Sequence, residues 1–338
     1  MQESPTPAYD SSRLVGLELE YDSGSSQFQE PVLPPMWVSK YDGSLRNGKE
    51  YVLEPAVKYN DLKPHVKAFA DAFDPIKIGL TTRGGFHVHV QAHDYSHDDA
   101  FNLAKLYTYF QPAIDSLLGE SRANNRFCTP FESGFTKQQL IEEFELNREA
   151  PSREQAKYAR RYRVINFAMM RCTNPQHRSI EFRQGSPSKR FANIYGWSTF
   201  VTALTDMARN NAVMILADNL EPNIGGLVAL VKEWQLYHES AQRLDKWIKW
   251  RYKIMNDQPT SEDVDRVLGL LRDESCGLFS IATRLDINYP MAKKALKKLM
   301  EGGLVEQSGN KYRICVDPNE VALNDLELLK QAAISRGN

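Results

Sequence analysis

The segment VGLELEYD at residues 15–22 decides the fold prediction, because apolar and acidic side chains alternate along it. Leu17 and Leu19 fall on one side, and Glu18 and Glu20 fall on the other. A period of two residues is typical of a β-strand that turns one face towards a core. A surface strand would more typically carry Lys, Thr and Ser on its open face, so the paired glutamates indicate a candidate functional face.

The same spacing of two recurs in two later predicted strands. His87 and His89 flank an apolar residue in one of them, and Glu181 and Arg183 do so in the other. Residues two apart share one face of a strand. Each pair alone is also typical of a solvated or salt-bridged sheet face. If the strands are neighbours, however, one face gathers three carboxylates, one or two imidazoles and a guanidinium.

Such a cluster predicts bound cations and a phosphate-bearing ligand. Close carboxylates repel one another unless a cation neutralises them, and a ligand set rich in oxygen suits Mg²⁺ or Mn²⁺ better than Zn²⁺. Arg183 offers no acceptor atom to a metal, but its guanidinium matches phosphate. Because the sequence contains no P-loop and no Gly-x-Gly-x-x-Gly motif, it predicts a nucleotide site of another kind.

The order of the predicted elements indicates an α+β fold. Short strands alternate irregularly with a few long helices between residues 13 and 210, which favours a mostly antiparallel sheet with helices on one face. The main predicted strands are 13–22, 37–40, 50–53, 86–91, 164–170 and 179–183, and the main predicted helices are 61–73, 98–118, 137–145 and 190–209.

The C-terminal part of the sequence predicts a separate module. Three helices, which start after Thr260, near Ser280 and at Pro290, precede a hairpin that turns at residues 308–310. This order of elements is the winged-helix pattern. The predicted domains are a catalytic domain at 13–215, a helical connector at 216–258, a winged-helix domain at 259–318 and a C-terminal helix or tail at 319–338.

The third helix of this module predicts a contact with nucleic acid. Four basic side chains lie on one side of it: Lys293, Lys294, Lys297 and Lys298. The third helix of a winged-helix module commonly enters a DNA major groove, and lysines would contact phosphates without reading the base sequence. The alternatives are an ordinary solvated helix face, dimerisation, or docking onto the catalytic domain.

The composition excludes several classes of protein. The 338 residues include 42 Lys and Arg against 43 Asp and Glu, so net charge gives no global signal for nucleic-acid binding. The four cysteines form no Cys-x-x-Cys pair, which argues against a disulfide framework and a zinc knuckle. No apolar run is long enough to span a membrane. We therefore expect a cytoplasmic protein in a reducing compartment, without a membrane partner.

Taken in order, the motifs of residues 13–205 resemble the amidoligase (carboxylate–amine ligase) superfamily, which is related to glutamine synthetase and γ-glutamylcysteine ligase. The motifs that carry this resemblance are VGLELEYD (15–22), YDGSL (41–45), KEYVLEP (49–55), GGFHVHV (84–90), SRANNRFC (121–128), RYRVINF (161–167) and SIEFRQGS (179–186). The resemblance implies a glutamine-synthetase-like catalytic fold. It also implies ATP- and Mg²⁺-dependent formation of an amide from a carboxylate and an amine, through an acyl phosphate.

The resemblance also implies roles for individual residues. The implied metal ligands are Glu18, Glu20, Glu50, Glu181 and His87, and the implied catalytic residues are Arg183, His87 and His89. The implied nucleotide- or substrate-binding residues are Asp42, Arg122, Arg161, Asn166 and Arg183. One departure is Glu54, which stands before Pro55 where the family often has a small hydroxyl residue, and which could itself be a ligand.

Two other functions stay open at this point. One is a winged-helix DNA-binding regulator whose ligase-like domain senses a nucleotide, although the acidic residues kept in every motif argue against it. The other is a metal-dependent hydrolase that uses His87 and His89, although such barrels usually need further histidines, and after His97 only His177 and His238 follow. The appended module mildly favours a macromolecular or modified-nucleotide substrate in a phage or bacterial modification pathway. The sequence leaves a homo-oligomer open.

Overall fold

A computed structural model of the 338-residue chain describes residues 12–22, 30–45, 47–76, 83–118, 120–123, 125–156, 162–235, 243–285, 287 and 289–314. The chain divides into two compact units, residues 1–250 and 251–338. The predicted α+β class with an antiparallel sheet is confirmed. The predicted domain limits stay predictions, and the predicted helix or tail at 319–338 lies outside the described residues.

The first unit contains a seven-stranded sheet in which every described pairing is antiparallel. Its strands are β1 (Leu14–Asp22), β2 (Trp37–Lys40), β3 (Gly48–Leu53), β4 (Val57–Lys58), β5 (Phe86–Gln91), β6 (Ile165–Asn166) and β7 (Ser179–Gly185). Their order is β2–β3–β1–β5–β7–β6, and β4 pairs with the start of β1. The three strands predicted to carry paired functional residues, β1, β5 and β7, therefore lie side by side, with β5 between the other two.

The described part of the first unit also contains helices. They are α1 (Leu62–Phe73), α2 (His97–Tyr109), α3 (Gln111–Ser116), α4 (Glu120–Ala123), α5 (Lys137–Glu143), α6 (Arg153–Ala156), α7 (Phe191–Met207), α8 (Asn211–Asp218), α9 (Ile224–Gln235) and α10 (Leu244–Asn256), the last of which crosses into the second unit. Residues of α8 and α9 belong to the same apolar core as the sheet.

One face of the sheet forms the core of this unit. Leu17, Leu19, Val88 and Phe182 alternate with the charged residues and are completely buried. Phe69 of α1 packs its ring against this side of the sheet at Tyr21 and Tyr51. Burial of one such apolar side chain contributes about 1.5–3 kcal/mol to the free energy of folding. The apolar face therefore stabilises the same strands that carry the charged residues on their other face.

Two predicted elements differ in extent from those observed. The helix predicted at 98–118 is interrupted at Phe110, because Pro112, in the first turn of α3, has no N–H to continue the helical hydrogen bonds. The strand predicted at 164–170 is wrong beyond Asn166. The side-chain oxygen of Asn166 accepts a hydrogen bond from the N–H of Ala168 at 3.0 Å, and a 3₁₀ turn follows at Ala168–Arg171.

The second unit has a core of its own. Its elements are α11 (Ser261–Asp273), α12 (Leu278–Arg284), α13 (Tyr289–Glu301), β8 (Val305–Ser308) and β9 (Lys311–Ile314). Thr260 and Asp263 form the capping box that starts α11, and β8 pairs antiparallel with β9. Val267, Ala295 and Leu299 are among the fully buried residues that join α11 to α13. Among the described residues, no helix has the length and apolar character needed to cross a membrane.

Candidate active site

The polar face of the sheet brings most of the predicted site residues together through the strand register. The cross-strand partners are Glu20 with Glu50, Glu18 with His87, His89 with Glu181, and Glu181 with Asn166. Gly16 is the partner of His89 on β1. The predicted common face of β1, β5 and β7 is therefore observed.

A first group of potential metal ligands consists of Glu18, His89 and Glu181. One ligand atom from each of these residues lies within 4.8 Å of the others. Nε2 of His89 lies 3.1 Å from Oε1 of Glu18, yet it is buried and makes no hydrogen bond. A buried nitrogen without a hydrogen bond, next to two carboxylates, fits a divalent cation that would accept all three ligands.

A second group consists of Glu20, Asp42 and Glu50, whose oxygens also lie within 4.8 Å of one another. Asp42 comes from the turn between β2 and β3, where its Oδ1 accepts a hydrogen bond from the N–H of Ser44 at 2.7 Å. The chemistry of this group is that of a Mg²⁺ or Mn²⁺ site, since all three side chains provide carboxylate oxygens.

His87 lies between the two groups and is almost fully buried. Its Nδ1 lies 3.4 Å from Oε2 of Glu18 and 3.5 Å from Oε1 of Glu181, while its Nε2 lies 3.7 Å from Oε1 of Glu20. The imidazole therefore has carboxylates of the first group on one side and a carboxylate of the second group on the other. This position suits a residue that orients ligands of both groups.

The electrostatics of this face show an excess of negative charge. Burial, together with the charges of Glu18, Glu20 and Asp42, raises the pKa of Glu50 to about 7. Burial lowers the pKa of the His89 imidazole, but the carboxylates of Glu18 and Glu181 outweigh it and raise that pKa to about 9. A carboxyl group that retains its proton near neutral pH, on the same face as a histidine held in its charged form, indicates a site that would bind cations.

The Glu18 and Glu181 carboxylates show the opposite pKa shift. Burial raises the pKa of Glu18, but the neighbouring His89 and His87 imidazoles outweigh it and hold that pKa well below its ordinary value. Burial likewise opposes ionisation of Glu181, and its pKa is lowered chiefly by the guanidinium of Arg183. Both residues are therefore carboxylates at neutral pH, as a metal ligand must be.

Arg183 reaches the first group from β7. Its Nη1 donates a hydrogen bond to Oε1 of Glu181, and its Nε donates one to the backbone carbonyl of Phe127 at 3.4 Å. The other oxygen of Glu181 accepts a hydrogen bond from Nδ2 of Asn166 at 2.8 Å. Within the described residues, Nη2 of Arg183 has no hydrogen-bond partner, so this nitrogen can still donate to an anionic ligand.

Arg122 has a different position from the one expected of a phosphate contact. Its side chain is buried, its Nη1 donates to the carbonyl of Gly84 at 3.3 Å, and its Nη2 donates to the carbonyl of Arg183. It therefore joins the segment before β5 to β7. A Cβ at Gly85 would lie 2.8 Å from Oε2 of Glu20 and 3.3 Å from Nη2 of Arg122, so a larger residue there would require the Glu20 side chain to shift.

Three further residues of the motifs either belong to neither ligand group or lie outside the described part of the chain. Glu54 is exposed and forms an ion pair with Lys40 at 2.6 Å. Arg161 lies outside the described residues. Cys128 is fully buried, and burial raises the pKa of its thiol, as expected of an unreactive cysteine.

Sequence reasoning missed two features of this site. It assigned His87 both as a metal ligand and to catalysis, and His89 to catalysis alone, whereas in the structure His89 belongs to the first ligand group and His87 lies between the two groups. It also assigned Asp42 to nucleotide or substrate binding, whereas the turn brings its carboxylate to Glu20 and Glu50. The alternation of the strands defines the face, but the choice among its residues depends on strand register, which the sequence does not reveal.

Comparison with protein families supports the resemblance found in the sequence. Residues 48–204 match the family described as "putative amidoligase enzyme". This part of the first unit is therefore similar to that family. The match covers the strands from β3 to β7. Strand β1, with Glu18 and Glu20, precedes the match and is joined to the matched strands by its pairing with β3, β4 and β5. No curated protein matches the chain.

Proposed function

We propose that this protein is an ATP- and Mg²⁺-dependent carboxylate–amine ligase that acts through an acyl phosphate. The observation that carries this proposal is the pair of ligand groups on one sheet face, with Arg183 hydrogen-bonded to Glu181 of the first group. The family match supports amide-bond formation as the type of reaction. Carboxylates for metal ions beside an arginine for phosphate make up a set of groups suited to phosphoryl transfer.

Glu18, His89 and Glu181 would hold one cation, and Glu20, Asp42 and Glu50 would hold another. When bound, Mg²⁺ would offset negative charge on the nucleotide phosphates and on the transferring phosphoryl group. Mn²⁺ would fit the same ligands. His87 would keep the carboxylates of the two groups in place, because its two ring nitrogens face opposite groups.

The proposed reaction has two displacements. A carboxylate oxygen of the first substrate forms a bond to the γ-phosphorus of ATP, and the bond from that phosphorus to ADP breaks. The nitrogen of the amine then bonds to the carbonyl carbon, phosphate leaves, and the nitrogen loses a proton to a base. Arg183 would donate a hydrogen bond to the phosphoryl group during both displacements.

A coupled assay tests this proposal directly. Purified protein is mixed with ATP, MgCl₂ and a pool of amino acids and polyamines, and ADP and phosphate are measured. We expect ATP cleavage that depends on an amine and disappears in Glu18→Gln and in Arg183→Ala. Glu54→Gln is the matched control, because Glu54 is an exposed glutamate with a surface partner. Absence of nucleotide binding under all conditions would exclude the ligase function.

The cellular setting is also part of the proposal. The described cysteines, Cys128, Cys172 and Cys276, are all free thiols, which suits a reducing compartment, and the cytoplasm supplies ATP. The proposed substrates are a carboxylate and an amine, one of them carried by a macromolecule or a modified nucleotide, in a bacterial or phage modification pathway. A homo-oligomer is compatible with this proposal.

A second candidate function concerns the second unit, for which we propose a winged-helix fold and contact with nucleic acid. The observation in favour is the order of three helices followed by the β8–β9 hairpin. As a regulator, the protein would couple this contact to nucleotide sensing in the first unit. A hydrolase based on His87 and His89 finds less support, because both lie among the carboxylates of a unit that is similar to the amidoligase family.

The structure corrects the predicted set of contact lysines. Lys298 is buried, and Nζ of Lys294 donates hydrogen bonds to the carbonyls of Met255 and Asp257, at 3.0 and 2.6 Å. Neither is therefore available to a phosphate. Lys293 and Lys297 remain exposed on α13. They are the residues that the proposal now assigns to nucleic acid.

Fluorescence titration with duplex DNA at low and high salt tests this contact. We expect replacement of Lys293 and Lys297 by alanine to weaken binding at low salt and to reduce the salt dependence by about two phosphate contacts. Lys249→Ala on α10 is the control, because that lysine is also exposed on a helix. Unchanged affinity in the double variant would contradict the proposal.

A further inference from the structure

Two exposed aromatic side chains, Phe127 and Tyr162, lie together in the first unit. Both rings are nearly half exposed, and their centroids lie 5.6 Å apart in an edge-to-face arrangement. The guanidinium of Arg126 lies over the Phe127 ring, 4.7 Å from its centroid. Single exposed aromatic residues are ordinary on a protein surface, whereas adjacent aromatic rings with a cation over one of them form a surface suited to binding.

Backbone hydrogen bonds fix this aromatic pair in place. The N–H and the hydroxyl of Thr129 both donate to the carbonyl of Tyr162, at 2.8 and 2.9 Å. The carbonyl of Phe127 accepts the hydrogen bond from Nε of Arg183. Phe127 is therefore in direct contact with the arginine that donates to Glu181, at the border of the candidate active site.

We infer that Phe127, Tyr162 and Arg126 form a stacking surface for the nucleobase of the nucleotide substrate. This inference rests on the proposed function, since it places the base of ATP beside the site proposed for its phosphates. Bases stack on aromatic rings and on guanidinium planes. A cationic amine is a poorer occupant, because the segments 125–129 and 162–164 contain no carboxylate to pair with it.

The test compares a nucleotide with its phosphates alone. Calorimetry in MgCl₂ measures the binding of the β,γ-imido analogue of ATP and of tripolyphosphate to the full chain. For Phe127→Ala we expect the nucleotide analogue to bind about tenfold more weakly, the size of effect seen when one stacking aromatic is removed. Tripolyphosphate should bind with an affinity within about twofold of the wild type.

Matched variants separate stacking from a loss of structure. Phe127→Trp keeps a stacking ring and should retain nucleotide affinity. Tyr162→Ala should weaken the analogue more than it weakens tripolyphosphate. Tyr252→Ala, a partly exposed tyrosine of the second unit, should change neither ligand. Thermal melting of each variant checks that the chain is folded.

The possible outcomes distinguish the inference from the proposed function. Equal weakening of both ligands in Phe127→Ala would overturn the stacking surface, because Phe127 would then act through Arg183. Unchanged binding of both ligands would overturn it as well, while leaving the ligase proposal intact. If the wild type binds neither ligand in the presence of Mg²⁺, the ligase proposal fails and the stacking surface fails with it.

Discussion

The two faces of the sheet in the first unit handle charge in opposite ways. On the face covered by helices, the buried guanidinium of Arg13 is matched by Asp94 at 2.9 Å and Asp206 at 3.0 Å. On the other face, carboxylates of β1, β3 and β7 share two imidazoles and one arginine, and the pKa of Glu50 rises to about 7. The buried charge of Arg13, which stabilises the fold, is neutralised by neighbouring carboxylates. The excess negative charge of the polar face has no such partner among the described residues and therefore indicates a role in binding.

The strongest test of this contrast is a single change on the polar face. Glu181→Gln keeps the size of the side chain but removes the charge that faces His89 and Arg183. We expect the rate of amine-dependent ATP cleavage to fall about 100- to 1000-fold, as when one charge-stabilising group of an active site is removed. The thermal melting temperature should change by no more than a few degrees. Activity that persists would remove Glu181 from the proposed ligand set.

Neighbouring residues on β1 provide the matched stability test. Leu19 is completely buried, and Leu19→Ala should lower the free energy of unfolding by about 2–5 kcal/mol. Glu20 is the next residue but lies on the polar face, among like charges. Glu20→Gln should leave the free energy of unfolding equal or higher, since it removes repulsion. Denaturant titration measures both values, and equal destabilisation by the two changes would contradict the functional division between the faces.

Much of this division could be predicted from the sequence, because it follows from local periodicity. The alternation in β1 and the spacing of His87 and His89 depend only on neighbours along the chain, and the structure shows the predicted strands and their common face. Which histidine meets which glutamate depends on register, and register is set by contacts between strands. For this reason the sequence did not indicate that His89 would belong to the first ligand group.

Long-range contacts also explain why the sequence did not reveal the surroundings of Arg122 and of the lysines of α13. A buried arginine whose donors reach two backbone carbonyls looks, in the sequence, like any arginine in a polar motif. Lys294 and Lys298 share a helix side with Lys293 and Lys297, but elements packed against α13 cover the first two. A helical period predicts which residues share a side and does not predict what covers that side.

The matched charges around Arg13 lead to a prediction about acid. Burial raises the pKa of Asp94, but the hydrogen bond and charge of Arg13 outweigh it and hold that pKa below its ordinary value. A lowered carboxyl pKa contributes stability above the unfolded pKa of about 4 and loses it as pH falls through the folded pKa. Asp94→Asn should therefore lower the free energy of unfolding by about 1–3 kcal/mol at pH 7.

The difference between the wild type and Asp94→Asn should shrink as the pH falls below about 4. Urea titration between pH 3 and pH 7 measures this difference. Asp98→Asn is the control, because Asp98 is an exposed aspartate whose partner is the exposed Lys137, and such surface pairs contribute about 0–1 kcal/mol. A difference for Asp94→Asn that does not vary with pH would mean that shape, and not charge, accounts for its effect.

The unmatched charges predict a smaller effect of opposite sign. Because the pKa of Glu50 is raised to about 7, its contribution to stability is present below the unfolded pKa of about 4.3 and is lost as pH rises through 7. Without divalent cations, the melting temperature should therefore fall by a few degrees between pH 5 and pH 8, and less so in Glu50→Gln. Added Mg²⁺ should remove most of this fall in the wild type, since a bound cation offsets the charges that repel Glu50. Melting curves with EDTA or MgCl₂ measure this effect, and an equal Mg²⁺ effect in wild type and Glu50→Gln would place the cation away from Glu50.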